Sequence, residues 1–299
     1  MLLAAAPLPL RLDHGGGLSV RGRRRLRGSL RRVILGGLAD APDVKFADIL
    51  LADVLTSYAR VLADLYVVLA IYLRQGGSAT AAPLRTSGST AVVIPLILAA
   101  PSAMRLRQCL LEYAYIRRSP RRSTGWGGQH LANAVKYATA FPVVILGALN
   151  DHRHQSSPGR VWLAAALANT LYGFYWDVAK DWDLTLLSAS PKRERAAAVA
   201  QDRPFGLRLV RAFRPVAVYY AAVAGDLALR CGWALRLSTW LAARVGGAES
   251  VLFMVELLEA LRRWVWVFFR LETEWVRCQS AGGPDILLGN YKDDDSESN

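Results

Sequence analysis

The chain has 299 residues, 37 Lys and Arg against 24 Asp and Glu, a formal charge of +13, 53% hydrophobic residues and a mean hydropathy of +0.20. A soluble nucleic-acid binder keeps its basic residues on polar surfaces, whereas here Arg blocks alternate with long apolar segments. That pattern argues against the nucleic-acid class and for an all-α, polytopic membrane bundle whose charge follows the positive-inside rule.

In chain order, MLLAAAPLPLRLDHGGG has an apolar start but lacks a basic n-region and a small-residue cleavage site, so it does not read as a signal peptide. Residues 1–30 are expected to be a disordered basic leader. RGRRRLRGSLRR then places seven arginines ahead of the first apolar stretch, a juxtamembrane block that belongs on the cytoplasmic side. Six spans are predicted: Phe46 to Leu73, Thr90 to Leu111, His130 to Leu149, Val161 to Trp176, Phe213 to Leu237 and Val251 to Phe269. With the N-terminus inside, the inner connections hold twelve Lys and Arg and the outer ones six, which favours both ends in the cytoplasm. The tail from 278 to 299 ends in KDDDSESN, has little apolar surface to bury and is expected to be disordered. Cys109, Cys231 and Cys278 show neither CxxC nor zinc spacing and read as free thiols.

The spans carry charge. Asp53, Ser57, Arg60 and Asp64 recur at i, i+4, i+7 and i+11, one face of a helix. Asn133, Lys136 and Tyr137 repeat the theme, Asp177 and Asp181 lie one turn apart, and Asp226, Arg230 and Trp233 fall at i, i+4 and i+7. In the last span Arg262 and Arg263 sit side by side, with Arg270 two turns on and Glu272 beyond it. A charge near a bilayer centre costs roughly 2.5–3.5 kcal/mol, so each must face a partner or a watered cavity. One reading is buried ion pairs that fix helix register. The other is a cavity for a small oxyanion, because cations exceed pairing needs near the last span and Arg offers a planar fork to oxyanions.

Six stretches resemble a known family: LLADVLTSYARVLAD at 50–64, RLRQC at 105–109, HLANAVKYATAF at 130–141, YWDVAKDWDL at 175–184, GDLALRCGW at 225–233 and LRRWVWVFFRLETEW at 261–275. They are similar, in order and from about Arg31 to Arg277, to the EXS domain, the membrane domain of eukaryotic phosphate exporters. The resemblance implies inorganic phosphate transport, with Lys136, Tyr137, Arg230, Arg262 and Arg263 as phosphate ligands. It implies that Asp53, Ser57, Asn133, Asp177, Asp181, Asp226, Arg270 and Glu272 shape the site, and that Trp233 lines or gates the pathway. Composition alone does not distinguish phosphate from sulfate. The wording of TSYARV and QCLLEY looks closer to the SPX-less, ER-retention-defective branch. That implies a Golgi membrane first, with plasma membrane or ER as the other addresses, and no regulation through an SPX domain on this chain.

The rival reading is a Golgi sorting scaffold that retains glycosyltransferases without moving an ion. An enzyme is disfavoured, since no nucleophile and base pair or metal-ligand cluster stands out, and Gly15 to Gly17 lack the Lys-Ser/Thr of a P-loop. The expected partners are therefore inorganic phosphate and the lipid bilayer, with a homo-oligomer and Golgi glycosyltransferases as protein partners. No cofactor, metal or nucleic acid is expected.

Overall fold

The computed structural model describes residues 20–39, 41–74, 90–118, 128–152, 159–187, 204–208, 210–237 and 247–280. Every regular element among them is helical. The helices are α1 (Val20–Leu35), α2 (Pro42–Ser57), α3 (Ala59–Arg74), α4 (Thr90–Arg118), α5 (Gly128–Ala138), α6 (Ala140–His152), α7 (Arg160–Trp176), α8 (Val216–Arg230) and α9 (Ala248–Ser280). A π-helical turn, Asp177–Asp181, extends α7, and a 3₁₀ stretch, Cys231–Leu237, extends α8.

The apolar runs form helices where predicted, but two are interrupted. α2 and α3 meet at Tyr58, whose N–H bonds Leu55 O at 3.1 Å, and their axes differ by 60°. Thr139 interrupts the α5–α6 run, and its hydroxyl donates to Lys136 O at 2.7 Å, a local side-chain bond that competes with the helix ladder. α8 starts only at Val216, because Pro215 before it favours extended backbone, so Phe213 lies outside the helix.

By length and composition two runs can cross a membrane, α4 and Gly128–Asn150, or three if the bent α2–α3 pair counts as one. α7 and α8 are short, at 17 and 15 residues, and α9 carries Arg262, Arg263 and Arg270. The six expected crossings thus exceed what hydropathy supports, and for α9 the reason is its buried arginines.

The leader expectation needs correction over 20–30, which belong to helix α1; residues 1–19 lie outside the described residues. Arg and Leu are good helix formers, and α1 gains tertiary support that charge density alone does not reveal. Val33 and Ser29 are buried, Arg32 binds Asp48 of α2 at 2.6 and 2.9 Å, and Arg107 of α4 donates to the carbonyls of Val33 and Ile34 at its C-terminus. The tail is likewise helical through Ser280, and 281–299 lie outside the described residues.

The apolar core sits towards the end of the bundle bearing α1. Val178, Trp182, Leu184, Leu207, Tyr219, Trp266 and Phe269 pack together from the end of α7, the 204–208 segment, the start of α8 and the middle of α9. Trp182, Phe213 and Tyr219 all stack around Phe269, with ring centroids 5.0–5.4 Å away.

Candidate functional site

Above that core the helices enclose a cavity of about 760 Å³. Its deep wall is Lys136 and Tyr137 of α5, Arg230 of α8, and Arg262 and Arg263 of α9. Thr90, Asn150 and Leu237 line its far reaches. Thr90 opens the helix whose other end is Arg117 and Arg118, so the cavity runs from mid-bundle away from the basic end.

Asp177 is the hub. It is fully buried, and its carboxylate meets Lys136 at 3.2 Å, Arg262 at 3.3 Å and Arg230 in a close ion pair. Asp181, at the other end of the π turn, takes Lys136 at 3.3 Å. The π turn closes through Trp182 N–H to Asp177 O at 2.8 Å, an i to i+5 bond that widens the helix and directs both carboxylates at one ammonium. Such turns occur often at functional sites. Arg230 also pairs with Asp226 at 3.0 Å, and Arg262 with Asp226 at 3.0 Å and Glu259 at 2.6 Å. Arg230 fits because residue 173 is glycine; a Cβ there would strike its guanidinium.

Arg263 differs from its neighbour. Its Nε donates to Ser57 Oγ at 2.7 Å and its Nη2 to Thr56 Oγ1 at 3.3 Å, while Trp266 lies under its guanidinium at 4.5 Å. Among the described residues no carboxylate pairs with it, and its buried Nη1 has no hydrogen-bond partner. Lys136, Arg230 and Arg262 each have carboxylate partners, whereas Arg263, at the same cavity wall, has none among the described residues. A buried guanidinium with a free donor is costly unless something fills the place, and an oxyanion supplies both acceptor and charge.

The five predicted ligands therefore line one cavity, and Ser57 lines it with them. Asp177, Asp181 and Asp226 stand behind them as counter-ions. Asp53 supports Tyr137 from below: the phenol donates to Asp53 Oδ1 at 2.5 Å, and the same oxygen takes Arg105 Nε at 2.7 Å. Trp233 sits at the side, donating to Thr170 Oγ1 at 3.0 Å and meeting Trp162, a cavity-lining residue, edge to face at 5.7 Å.

Three predicted residues are elsewhere. Arg270 points down, donating to Asp181 O at 3.2 Å. Glu272 lies at the basic end, held by Arg208 at 2.7 Å, by Ala212 N–H at 2.6 Å and by the Tyr219 hydroxyl. Asn133 is buried against neighbouring helices and does not line the cavity. The straight face drawn from Asp53 to Asp64 is broken at Tyr58, so Asp53 serves the Arg105 network while Arg60 and Asp64 lie near the cavity's outer part.

Sequence reasoning passed over Arg105 and Glu259. Arg105 interrupts the apolar α4, and a cation inside a hydrocarbon-length helix is itself the signal. Glu259 lies three residues before Arg262, the spacing of an intrahelical ion pair.

Among the described residues the molecule is a helical membrane bundle in which buried arginines and a lysine line a polar cavity. Residues 1–276 match the EXS family, and the chain belongs to it. That match begins ahead of Arg31, where the resemblance is expected to start. The chain is 34% identical over 241 residues to Protein ERD1 homolog 1 of Schizosaccharomyces pombe, covering 81% of this chain and 60% of that protein. It is 28% identical to Protein ERD1 of Kluyveromyces lactis, over 79% of this chain and 60% of the relative. Solute carrier family 53 member 1 of Mus pahari is 31% identical, over 77% of this chain and 33% of the carrier. The chain thus spans about 60% of the length of its ERD1 relatives.

Proposed function

We propose that the chain moves inorganic phosphate across a Golgi membrane through the cavity, which the EXS unit at 31–277 forms with six helical crossings. The observation that carries this reading is Arg263: a buried guanidinium with neither carboxylate nor Nη1 partner, in the wall that also presents Lys136, Tyr137, Arg230 and Arg262. Phosphate enters from the luminal end, where the cavity extends, and meets Arg263 first as the cation with donor capacity to spare. Arg262, Arg230 and Lys136 already share Asp177, so they take the anion only as that carboxylate gives way. The resident carboxylates keep the empty site from holding phosphate too tightly, since transport needs release as much as binding. The aromatic core beneath separates the cavity from the cytoplasmic end, and release requires it to part.

The test is phosphate efflux from proteoliposomes with Arg263→Ala as the paired variant. Arg263→Ala is expected to remove flux by tenfold or more while the protein stays folded and inserted. Unchanged flux would sink the assignment. The scaffold reading gains instead if folded protein carries no phosphate at all while Arg117→Gln and Arg118→Gln release glycosyltransferases from the Golgi.

A further inference from the structure

We infer that α1 is an interfacial helix that binds the anionic head groups of the cytoplasmic leaflet; its sidedness rests on the orientation proposed above. The sixteen residues of α1 contain seven arginines and no acidic residue. Arg32 is committed to Asp48, whereas Arg23, Arg24, Arg25, Arg27 and Arg31 are exposed, without a carboxylate partner among the described residues.

Leu26, Leu30 and Ile34, at i, i+4 and i+8, form a second row that is also open, at 47%, 39% and 45% exposure. The parallel row Arg23, Arg27 and Arg31 flanks it, and Ser29 and Val33 on its other side are buried against the bundle. The helix is thus fixed on one face, apolar on the next and cationic on the third.

An apolar row beside an arginine row is how a helix lies in a bilayer surface, leucines in the acyl boundary and guanidinium groups among phosphates. The anchoring is specific. Arg107 of α4 caps its last carbonyls, and Arg32 ties it to α2, so α1 cannot lift away to solvate its leucines. Exposed Arg117 and Arg118 close α4 and extend the cationic belt. Charge complementarity selects an anionic bilayer surface over an apolar protein partner, because five unneutralised guanidinium groups would be carried into any dry interface.

The experiment places a nitroxide at Leu30→Cys in the full chain, with Cys231→Ser and Cys278→Ser, and reads its depth by oxygen against nickel-chelate collision. Nanodiscs of phosphatidylcholine alone are compared with discs holding phosphatidylserine or a phosphoinositide. The label is expected at acyl depth in anionic discs and to rise towards water when Arg23, Arg24, Arg27 and Arg31 become Gln. Co-purified anionic lipid should fall roughly fivefold per arginine lost, the factor that about 1 kcal/mol per basic residue near the surface implies. An immobilised label reached by neither reagent would mean a protein covers the row, whether a second copy or another segment. Depth indifferent to lipid charge would mean the arginines do not read the leaflet. Either outcome overturns the inference. Phosphate flux is measured on the same discs reconstituted as vesicles, so a failed phosphate assignment leaves this result interpretable.

Discussion

Helix α9 passes through two regions of opposite character within three turns. At Arg262 and Arg263 it faces a cavity of about 760 Å³, and at Trp266 and Phe269 it enters a dry aromatic core. In the first region most charged groups are matched by an opposite charge and space remains; in the second, aromatic rings pack on one another and charge stays at the margin, where Glu272 takes the Tyr219 hydroxyl. The lesson is that buried charge here maintains an opening. A set of like charges resists closing on itself; Asp177 and Asp226 stand behind it, while Glu259 shares the cavity wall.

Removing a counter-charge should break that contrast most severely. Arg262→Ala leaves Asp177, Asp226 and Glu259 short of a cation, and an uncompensated buried charge costs roughly 3–5 kcal/mol. Thermal unfolding in detergent should show a large drop, together with loss of flux; a stable protein would mean the carboxylates rearrange or take up protons. Phe269→Ala tests the other region. Deleting a buried ring costs about 3 kcal/mol, and phosphate affinity, read by isothermal titration, should stay within about twofold if the core only seals.

Smaller changes sharpen the boundary. Gly173→Ala pushes Arg230 off its place, an overpacking cost of about 1–3 kcal/mol, and should weaken phosphate binding more than it lowers the melting temperature. Tyr137→Phe removes the donor to Asp53 but leaves Arg105 there, so a loss of about 1 kcal/mol is expected. Flux kinetics would then report whether the phenol touches phosphate: a raised half-saturation concentration says it does.

Much of this was legible. Helix-spaced charges in apolar runs gave the bundle, and the motifs HLANAVKY, GDLALRCGW and LRRW led to five residues that line one cavity. What escaped depends on backbone irregularity and on distant partners. The break at Tyr58 separates Asp53 from Arg60, and no periodicity announces it, since Tyr and Ser before it are tolerated in helices. Glu272 continues the face of α9 in sequence, but the next turns lie below the core, where Tyr219 and Arg208 claim it. Arg263 looked like a twin of Arg262. Their difference is that Glu259 sits at i−3 of one and the hydroxyls of another helix serve the other.

The π turn at Asp177–Asp181 also constrains how the sequence can change length. A π turn carries the equivalent of one residue inserted into an α-helix, so a chain shorter by one between Trp176 and Trp182 would still be helical there. It would, however, tighten the turn, so that Asp177 and Asp181 no longer aim at the Lys136 ammonium together. The spacing from Asp177 to Trp182 is therefore a ruler: relatives that share this site should count the same number of residues across it, while the surface connections on either side are free to grow or shrink.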